Sequence, residues 1–500
     1  MYFLERFDMS QKILTEQERF FFNQVKKIIY SNPFAISQKE IADRFPDIPS
    51  QPEETATDEY EHHFGLISQP LTHHLERLKK QGVTQLKHLQ AQDRELVRHS
   101  FLFDIYHQSV KEWDQHIQEQ LQKTDAPIPV LFAEKLLAQL RARGFSQQES
   151  LRYFGFFFQV RRAYFFIDRA LVGQCPSIEA LRRELWNSLF TENALRYERH
   201  LWDHMEDFST LLLGETGTGK GAAAAAIGRS AFIPFDPIKN CFKENFTQSF
   251  VATNLSQFSE NLIESEIFGH RKGSFTGAIN HHKGLLERCS QHGALFLDEI
   301  GDVTPTVQIK LLKVLQERQF SSVGSHTEQR FSGRIIAATN RNLTELMQDA
   351  NFRDDFYYRL SSHVINMPSL RHRISESPVE LDLMVSLILE RTMGRQNAQL
   401  SQEVLSIIHS NIPINYHWPG NVRELEQVVR RVLLTQKASI VKDLTEPPKV
   451  SLESLLLAEQ PNAQELLTRY CQIMYEQEGT YEAVARKTGL DRRTVKKYMT

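Results

Sequence analysis

The segment Leu211–Gly221, LLLGETGTGKG, constrains the fold more than any other part of this sequence. Its three leucines indicate a buried strand, its glycines a tight loop, and the following Ala222–Ile227 an apolar helix. Glycines let backbone N–H groups turn toward phosphates, the helix N-terminus adds positive potential, and Lys220 can reach the outer phosphates. A strand, a phosphate loop and a helix in this order predict an α/β fold.

We predict that this loop binds a nucleotide, ATP, together with Mg²⁺. The predicted contacts are Gly214, Glu215, Thr216, Gly217, Thr218, Gly219, Lys220 and Gly221. Position 221 holds glycine where such loops usually carry a Ser or Thr whose hydroxyl ligates magnesium. Other groups must therefore hold the metal.

Two carboxylates end a second apolar run, Ala294–Ile300 or ALFLDEI. We predict that Asp298 holds magnesium and that Glu299 polarises the attacking water, because phosphoryl transfer depends on positioning and charge neutralisation. The alternative is a strand end with a solvated Asp-Glu pair. A third buried strand, Arg334–Ala338, leads to Asn340, whose amide we expect at the same sheet edge. Ligands bind at that edge in open α/β sheets.

Further segments follow in a fixed order along the chain. Asn254 is followed by ENLIESEIFGHRKGSFTGA, and later come IIAATNRNL, FRDDFYYRL and WPGNVRELEQVV. With GETGTGK and ALFLDEIGDV, these segments make residues 187–440 resemble the sigma-54-dependent transcriptional activators, a branch of the AAA+ ATPases. The resemblance implies an α/β AAA+ P-loop core with a helical lid. It also implies a ring that hydrolyses ATP to remodel the sigma-54 RNA polymerase closed complex.

The resemblance implies roles for single residues. Asn254 would hold Glu299 in one nucleotide state and release it in another. Asn340 would sense the γ-phosphate, and Arg423 would be the sensor that the lid contributes. Each of these side chains would then respond to the nucleotide within its own subunit.

Arg353 and Arg359 correspond to the segment that carries arginine fingers, so they would reach the nucleotide of the neighbouring subunit. An arginine supplied from another chain is worth about 10³ to 10⁵ in rate in GTPases, so activity should require a ring. The alternative is a pair of surface arginines beside Asp354 and Asp355.

The GSFTGA segment is typical of a loop tip, because glycines flank an aromatic residue that has no periodic apolar partners. The alternative is an ordinary turn with the Phe tucked in. The resemblance implies contact with the sigma factor through Gly273, Ser274, Phe275, Thr276, Gly277 and Ala278. Ser274 departs from the alanine that the family most often has.

Near the end of the chain, Thr480–Met499 predicts a short helix, a turn at Gly489 and a basic helix. This spacing is typical of a helix-turn-helix and resembles the Fis-type DNA-binding domain. We expect Arg492, Arg493 and Thr494 near base edges, and Lys496 and Lys497 on phosphates of double-stranded upstream DNA. A partner helix at residues 461–477 would complete the small core. The alternative is a basic helix with a solvated face.

These segments predict five parts: an all-α regulatory region at 1–185, the ATPase core at 186–370 and its lid at 371–440, a linker at 441–460, and the all-α DNA-binding domain at 461–500. Helical periodicity in the first part covers residues 13–30, 71–80, 92–122 and 132–143. The composition of residues 47–61 predicts an exposed loop. The aromatic clusters at 156–158 and 164–166 are expected in a core, with a ligand pocket as the alternative. The signal that this part senses stays open.

Composition limits the remaining possibilities. A net charge of −3 makes any DNA contact local to the basic tail. The four cysteines have no metal-ligand spacing and are expected to be reduced. Arginines within the apolar stretch 153–172 indicate a buried helix, and we expect a cytoplasmic protein that does not contact membranes. Two other functions were considered: a DNA-binding regulator independent of sigma-54, and an AAA+ remodeller of another client.

Overall fold

The computed structural model describes residues 12–36, 38–45, 59–123, 125–275, 277–438 and 462–499. The chain divides into two compact units, Met1–Ser439 and Ile440–Thr500. The predicted linker at 441–460, residues 47–58 of the predicted loop, and Thr276 lie outside the described residues. The remaining residues of that loop, 59–61, begin a helix.

A five-stranded parallel sheet positions the motifs of the first unit. Its central strands are Leu-, Ile- and Ala-rich and buried, as expected where helices cover both faces of a parallel sheet. The strands run in the order β4-β5-β8-β1-β9, while β2 with β3 and β6 with β7 form two short antiparallel pairs. In chain order the strands are β1 (Thr210–Leu213), β2 (Phe235–Asp236), β3 (Cys241–Phe242), β4 (Phe250–Asn254), β5 (Ala294–Asp298), β6 (Gln319–Phe320), β7 (Gln329–Arg330), β8 (Arg334–Thr339) and β9 (His363–Asn366).

Helices make up the N-terminal part of this unit, as predicted. They are α1 (Glu16–Ile29), α2 (Gln38–Arg44), α3 (Glu59–Lys80), α4 (Ala91–His107), α5 (Val110–Gln122), α6 (Ala133–Ala142), α7 (Gln147–Ala170), α8 (Pro176–Phe190) and α9 (Ala194–Arg196). The periodic stretch 92–122 forms two helices, because Ser109 donates its hydroxyl to the carbonyls of Ile105 and Tyr106 and ends the first. The long helix α7 begins with reciprocal hydrogen bonds between Ser146 and Glu149.

The helices that follow β1 surround the sheet and form the lid. They are α10 (Lys220–Gly228), α11 (Glu260–Phe268), α12 (Leu285–Arg288), α13 (Pro305–Glu317), α14 (Leu343–Gln348), α15 (Asp354–Leu360), α16 (Leu370–Glu376), α17 (Val379–Met393), α18 (Ala398–Asn411) and α19 (Asn421–Thr435). The observed arrangement confirms the predicted α/β core with a helical lid. Among the described residues, no helix is both long enough and apolar enough to cross a membrane.

The N-terminal helices share one hydrophobic core with the sheet. Phe158 of α7 stacks on Phe242 of β3 with ring centroids 3.9 Å apart, and Phe154 lies 4.6 Å from Phe235. The expected aromatic-rich core is therefore confirmed. The predicted boundary at 185/186 falls inside α8, and the one at 370/371 falls at the start of α16. The division into functional domains stays a prediction.

The second unit contains three helices within residues 462–499: α20 (Ala463–Glu478), α21 (Tyr481–Thr488) and α22 (Arg492–Met499). The first confirms the predicted partner helix. Cys471, Val484 and Val495 are fully buried, whereas Leu490 is half-buried. A turn with Gly489 in the left-handed region, at φ 70°, separates α21 from α22. All four cysteines of the chain have free thiols.

Candidate functional site

The carboxyl ends of the parallel strands bring the predicted acidic and amide side chains together. Asn254 at the end of β4 pairs in register with Asp298 at the end of β5. Glu299 follows in the left-handed region, at φ 57°. The backbone N–H of Asn340 donates to Glu299 Oε2 at 3.2 Å, and its side-chain Nδ2 donates to Thr216 Oγ1 at 2.7 Å. Asn340 thus connects the acidic strand end with the glycine loop.

Lys220 folds back onto the loop that precedes it. Its Nζ donates to the carbonyl oxygens of Gly214 at 2.8 Å and Glu215 at 3.1 Å. Burial lowers the pKa of Lys220, although the carboxylates of Glu299 and Asp298 oppose that shift. Burial likewise raises the pKa of Asp298. An ammonium group held only by backbone carbonyls is available for a stronger anionic partner.

The start of helix α19 is locked against the glycine loop. Asn421 is fully buried with φ 51°, and its Nδ2 donates to the carbonyl of Thr216 at 3.0 Å. The N–H of Val422 donates to the carbonyl of Gly217 at 3.1 Å. A Cβ built on Gly217 would lie 2.2 Å from the carbonyl oxygen of Gly420, and φ there is 81°. Only glycine fits this contact between loop and lid.

Glu215 ties the loop to the lid a second time. Its carboxylate accepts hydrogen bonds from both terminal nitrogens of Arg371, one at 2.7 Å, and from Asn421 Nδ2 at 3.1 Å. The hydrogen bond from Arg371 is the main reason that the pKa of Glu215 is lowered. Any movement of the lid therefore acts directly on the loop.

A cleft of about 360 Å³ lies between the glycine loop, the acidic strand end and the lid. The lining side chains fall into two groups. The polar group comprises Thr216, Thr218, Lys220, Asn254, Asp298, Glu299, Arg373, Arg391, Arg423 and Glu426. The apolar group comprises Ala170, Leu171, Val172, Ile178, Ala222, Met384, Leu387 and Val422. The cleft can hold a ligand that combines an apolar surface with an anionic group.

Sequence reasoning missed the apolar wall. Leu171, Val172 and Ile178 were assigned to the N-terminal region, and Met384 and Leu387 to the lid. Apolar residues at helix ends form no recognisable motif, so no sequence signal indicated that they lie beside the glycine loop. Arg371 and Asn421 were missed as loop contacts for a different reason. Asn421 lies within the WPGNVRELEQVV segment, but its role depends on a positive φ that sequence does not display.

The polar group suits magnesium in its donor set, because carboxylate and amide oxygens are the ligands that this ion prefers. Asp298 and Glu299 supply the carboxylates and Asn254 an amide. A Cβ built on Gly221 meets no described atom within 4 Å. Gly221 therefore supplies no side-chain ligand to the metal, and it leaves the space beside it open.

Comparisons with known proteins identify two domains in this chain. Residues 192–366 match the model of the sigma-54 interaction domain, and residues 382–452 match that of the AAA+ ATPase lid domain. The chain thus contains a sigma-54 interaction domain and an AAA+ ATPase lid domain. The predicted resemblance is thereby confirmed.

Individual relatives match this chain over part of their length. The nitrogen fixation protein AnfA of Azotobacter vinelandii is 41% identical over 242 residues, which are 48% of this chain and 42% of AnfA. The transcriptional regulatory protein ZraR of Klebsiella oxytoca is 33% identical over 297 residues, 58% of this chain and 62% of ZraR. The crystal structure of NtrX from Brucella abortus in complex with ADP is 20% identical, covers 73% of this chain and 80% of its own, and has a TM-score of 0.41. The chain thus spans less than half the length of AnfA.

Among the described contacts, the Asn254 side chain bonds to Ser256 rather than to Glu299, the carboxylate predicted to be its partner. Its Oδ1 accepts hydrogen bonds from the N–H of Ser256 at 3.0 Å and from the Ser256 hydroxyl at 2.7 Å. Both Asn254 and Glu299 line the cleft. The predicted exchange of Asn254 between partners stays a prediction.

The two predicted finger arginines are exposed at opposite ends of α15. Arg353 precedes the helix and pairs with Asp355, Nη2 to Oδ2 at 2.7 Å and Nε to Oδ1 at 3.0 Å. Arg359 lies in the last turn. Neither is among the described residues that line the cleft of their own chain. Their predicted contact with a neighbouring subunit stays a prediction.

The described part of the GSFTGA loop forms a tight turn at the surface. The N–H of Gly273 donates to the carbonyl of Ala278 at 2.8 Å, and the N–H of Ala278 donates to that of Phe275 at 3.0 Å. The Phe275 side chain is 37% exposed and meets the His270 ring edge-on at 4.9 Å. Phe275 is therefore partly exposed and still contacts the His270 ring. Gly277 adopts φ 102°.

Ser274, the departure within this loop, packs against a second segment. A Cβ built on Gly324 would lie 2.5 Å from the Cβ of Ser274. The Ser274 hydroxyl is buried and has no hydrogen-bond partner among the described residues. The position needs a small side chain, and nothing in the described contacts requires the hydroxyl.

In the second unit, Asp491 caps the basic helix α22. Its Oδ1 accepts from the N–H groups of Arg493 at 2.8 Å and Thr494 at 3.1 Å, and its Oδ2 accepts from the Thr494 hydroxyl. Arg492 pairs with Glu482 at 2.7 Å. Of the predicted DNA contacts, Arg492, Arg493, Lys496 and Lys497 are exposed, whereas Thr494 is half-buried. Thr494 thus differs from the other predicted DNA contacts, because its hydroxyl already donates to the capping Asp491.

Proposed function

We propose that this protein is an ATPase that activates transcription by remodelling the closed complex of sigma-54 RNA polymerase. The observation that carries the proposal is the cleft in which Lys220, Asp298, Glu299 and Arg423 converge beside an apolar wall. ATP combines a largely apolar base with a polyanionic tail, so it matches both the apolar and the polar side chains that line this cleft. Curated relatives carry names such as transcriptional regulatory protein ZraR, which supports transcription as the output.

The residues of the cleft divide the work of hydrolysis. Lys220 would exchange its carbonyl partners for the outer phosphates, and Asp298 would hold Mg²⁺. Glu299 would orient a water and accept its proton, while Asn340, bonded to both Glu299 and Thr216, would respond to the terminal phosphate. Bound MgATP supplies the phosphoanhydride whose hydrolysis releases energy, with the metal neutralising the phosphate charge.

A ring of several subunits, six in our proposal, would complete each site. Arg353 and Arg359 lie outside the cleft of their own chain and are exposed at the ends of α15. Exposed guanidinium groups with this placement fit a role in a neighbouring subunit, where they would stabilise charge in the transition state. Double-stranded upstream DNA would bind the basic helix α22 and concentrate subunits near the promoter.

The GSFTGA loop would be the contact with sigma-54. Phe275 offers a partly exposed ring, and the loop is tied at its base through the segment that contains Gly324. The lid grips the glycine loop through Asn421, Val422 and Arg371, so closing on nucleotide would move the two together. Phosphate chemistry and loop position would then be coupled through the core.

Transcription in vitro from a sigma-54 promoter tests this function. We expect open complexes with ATP and none with a non-hydrolysable analogue. Phe275→Ala should keep ATP turnover within about twofold of wild type yet abolish open complexes, because a ring at an interface dominates its energy. The matched control is Ile279→Ala, which removes a 74% exposed apolar side chain just outside the GSFTGA segment. Robust ATP turnover without any transcript would point to another client for the loop.

A further inference from the structure

Most of the apolar wall of the nucleotide cleft comes from two separate segments of the chain. The junction of α7 and α8 contributes Leu171, Val172 and Ile178, whereas Met384 and Leu387 belong to the lid helix α17. Neither segment is part of the sheet or of the glycine loop. The shape of the wall therefore depends on the contacts that hold these two segments together.

A buried carboxylate connects the two segments. Glu380 of α17 is fully buried, and its Oε1 accepts hydrogen bonds from the N–H of Gln174 at 2.5 Å and from that of Cys175 at 2.9 Å. Its Oε2 accepts from Arg373 Nε at 3.1 Å and from Arg373 Nη2 at 2.6 Å. Glu380 itself is not among the described residues that line the cleft. The carboxylate thus holds the backbone that precedes α8 and leaves the cleft surface to other side chains.

Arg373 extends this connection to both sides of the wall. Its Nη2 donates to the carbonyl of Val172 at 2.6 Å and lies 3.3 Å from the Sδ of Met384. Arg371, two residues earlier in the same helix α16, pairs with Glu215 of the glycine loop at 2.7 Å. Helix α16 therefore contacts the wall and the loop at once, which fixes the position of one relative to the other.

Residues 172–175 fit closely against the Glu380–Arg373 pair. A Cβ built on Gly173 would lie 2.5 Å from Glu380 Oε2 and 2.7 Å from Arg373 Nη2, and φ at Gly173 is 140°. Only glycine permits this approach. Stability alone does not account for the pair, because apolar side chains of similar volume in place of a buried ion pair are often neutral or stabilising. Buried polar groups whose hydrogen bonds are all made instead fix one arrangement of the chain around them.

We propose that Glu380 is a positioning residue for nucleotide binding. Together with Arg373 it fixes residues 172–175 against the lid, so that the apolar wall keeps the spacing that the base of the nucleotide needs. Glu380 acts through the wall and does not touch the nucleotide. This role rests on the proposed binding of ATP in the cleft. The glycine loop binds phosphates through its own contacts, so loss of the pair weakens a ligand with a base far more than one without.

Calorimetric titration of the full-length protein with MgATP tests this role. We expect Glu380→Gln to weaken ATP binding by at least about tenfold with an unchanged number of sites per chain, because the amide nitrogen must face one of the present donors. A misfolded fraction would instead lower the number of sites and leave the affinity unchanged. Equal ATP affinity in Glu380→Gln and the wild type, or a loss of sites alone, would overturn the proposal.

The matched control is a second carboxylate of α17. Asp382 pairs with His409 at 3.1 Å and is not among the described residues that line the cleft. Asp382→Asn makes the same change from carboxylate to amide two residues away, and it should bind ATP like the wild type. A loss in Asp382→Asn as large as that in Glu380→Gln would show a general effect of α17 and overturn a specific role for Glu380.

Magnesium tripolyphosphate separates the wall from the glycine loop. It carries the phosphate charges without a base, so the wild type and Glu380→Gln should bind it within about twofold of each other. Steady-state hydrolysis should show the corresponding split, with KM for ATP raised by at least about tenfold and kcat within about threefold of wild type. Equal losses for ATP and tripolyphosphate would place the effect at the loop and overturn the role of the wall. Absence of ATP binding by the wild type would instead refute the proposed function itself.

Gly173→Ala tests the same contact from the other side. Its Cβ would push residues 172–175 away from an unchanged Glu380–Arg373 pair, so ATP binding should weaken to a similar extent. The double variant with Glu380→Gln should lose less than the product of the two single losses, because both changes remove one contact. If Glu380→Gln does not reach the wild-type thermal transition, Gly173→Ala decides the matter. Wild-type ATP affinity in folded Gly173→Ala, or full additivity in the double variant, would overturn the proposal.

Discussion

Helix α7 contributes to two sites that differ in chemistry. Its Ala170 lines the nucleotide cleft, and its Phe156 and Val160 line a smaller cavity between α1, α4, α7 and α8, the N-terminal cavity. The cleft is lined by carboxylates, cationic groups and a glycine loop, whereas the cavity is lined by aromatic and aliphatic side chains. The cleft needs particular atoms at particular backbone spacings, so it leaves motifs in the sequence. An apolar cavity can be built from many combinations of side chains, so it leaves none.

Lys220 of α10 and Arg162 of α7 are two buried cations with different roles. Lys220 and Arg162 both donate to backbone carbonyls rather than to carboxylates. Lys220 lines the same cleft as Asp298 and Glu299, which suits a group that changes partners. Arg162 is fully buried, and burial lowers its pKa to about 9. The first is arranged for exchange with a ligand, and the second for holding two helices together.

Removal of Glu299, the predicted general base, should have the largest effect. Glu299→Gln should keep nucleotide affinity but lower turnover by about 10² to 10⁴-fold, because the amide cannot accept a proton from water. Steady-state hydrolysis and nucleotide titration measure the two quantities. Asp302→Asn is the control, since Asp302 pairs with Arg341 at 2.7 Å and is not among the cleft's lining residues. Unchanged turnover in Glu299→Gln would contradict its role.

The contact between loop and lid should be nearly as sensitive. Gly217→Ala should weaken nucleotide binding by at least about tenfold, since its Cβ would collide with the Gly420 carbonyl and its φ of 81° is unfavourable. Gly221→Ala should stay within about twofold of wild type, because its Cβ meets no described atom within 4 Å and alanine favours a helix. Nucleotide affinities of the two variants are compared directly. Similar losses in both would refute a specific contact at 217.

The role of Arg162 in holding two helices together can be measured as stability. Arg162→Met should lower the free energy of unfolding of the first unit by about 2 to 5 kcal/mol, since two buried carbonyls lose their donors. Denaturant unfolding checks this value. Arg169→Met, at an exposed position of α7 where the guanidinium lies 3.9 Å from the Phe165 ring centroid, should cost about 1 kcal/mol or less. Equal costs would remove the distinction between the two arginines.

The buried His99, which lines the N-terminal cavity, predicts a pH dependence, the smallest of these effects. His99 has its pKa lowered to about 4 in the folded chain, while an unfolded histidine titrates near its ordinary value of about 6.5. Its stabilising contribution is therefore complete above pH 6.5 and is lost as the pH falls toward 4. Between pH 7.5 and pH 5, Tm should fall less in His99→Gln than in the wild type. The exposed His200→Gln variant should follow the wild type, and identical curves for all three would contradict a buried neutral His99.

Sequence patterns predicted the sheet edge well because each signal is local. LLLGETGTGKG became β1, the loop and α10, and ALFLDEI became β5 with its two carboxylates at the edge. Helical periodicity also located most of the N-terminal helices. The break at Ser109 was missed, since it depends on a side-chain hydroxyl that competes for helix carbonyls. The contact of Thr494 with base edges stays a prediction, and its hydroxyl donates to Asp491, which caps α22.

The sequence by itself determined the order of strands and helices, the phosphate loop and the acidic strand end, because backbone geometry and short-range spacing specify them. Tertiary structure alone decided that residues 171–178 form a wall of the cleft, that Asn421 grips the loop, and that the N-terminal helices share a core with the sheet. Those features depend on contacts between segments up to about two hundred residues apart, such as Glu380 with the N–H of Cys175. Packing between distant apolar surfaces tolerates many side-chain combinations, so only the folded chain reveals which of them meet.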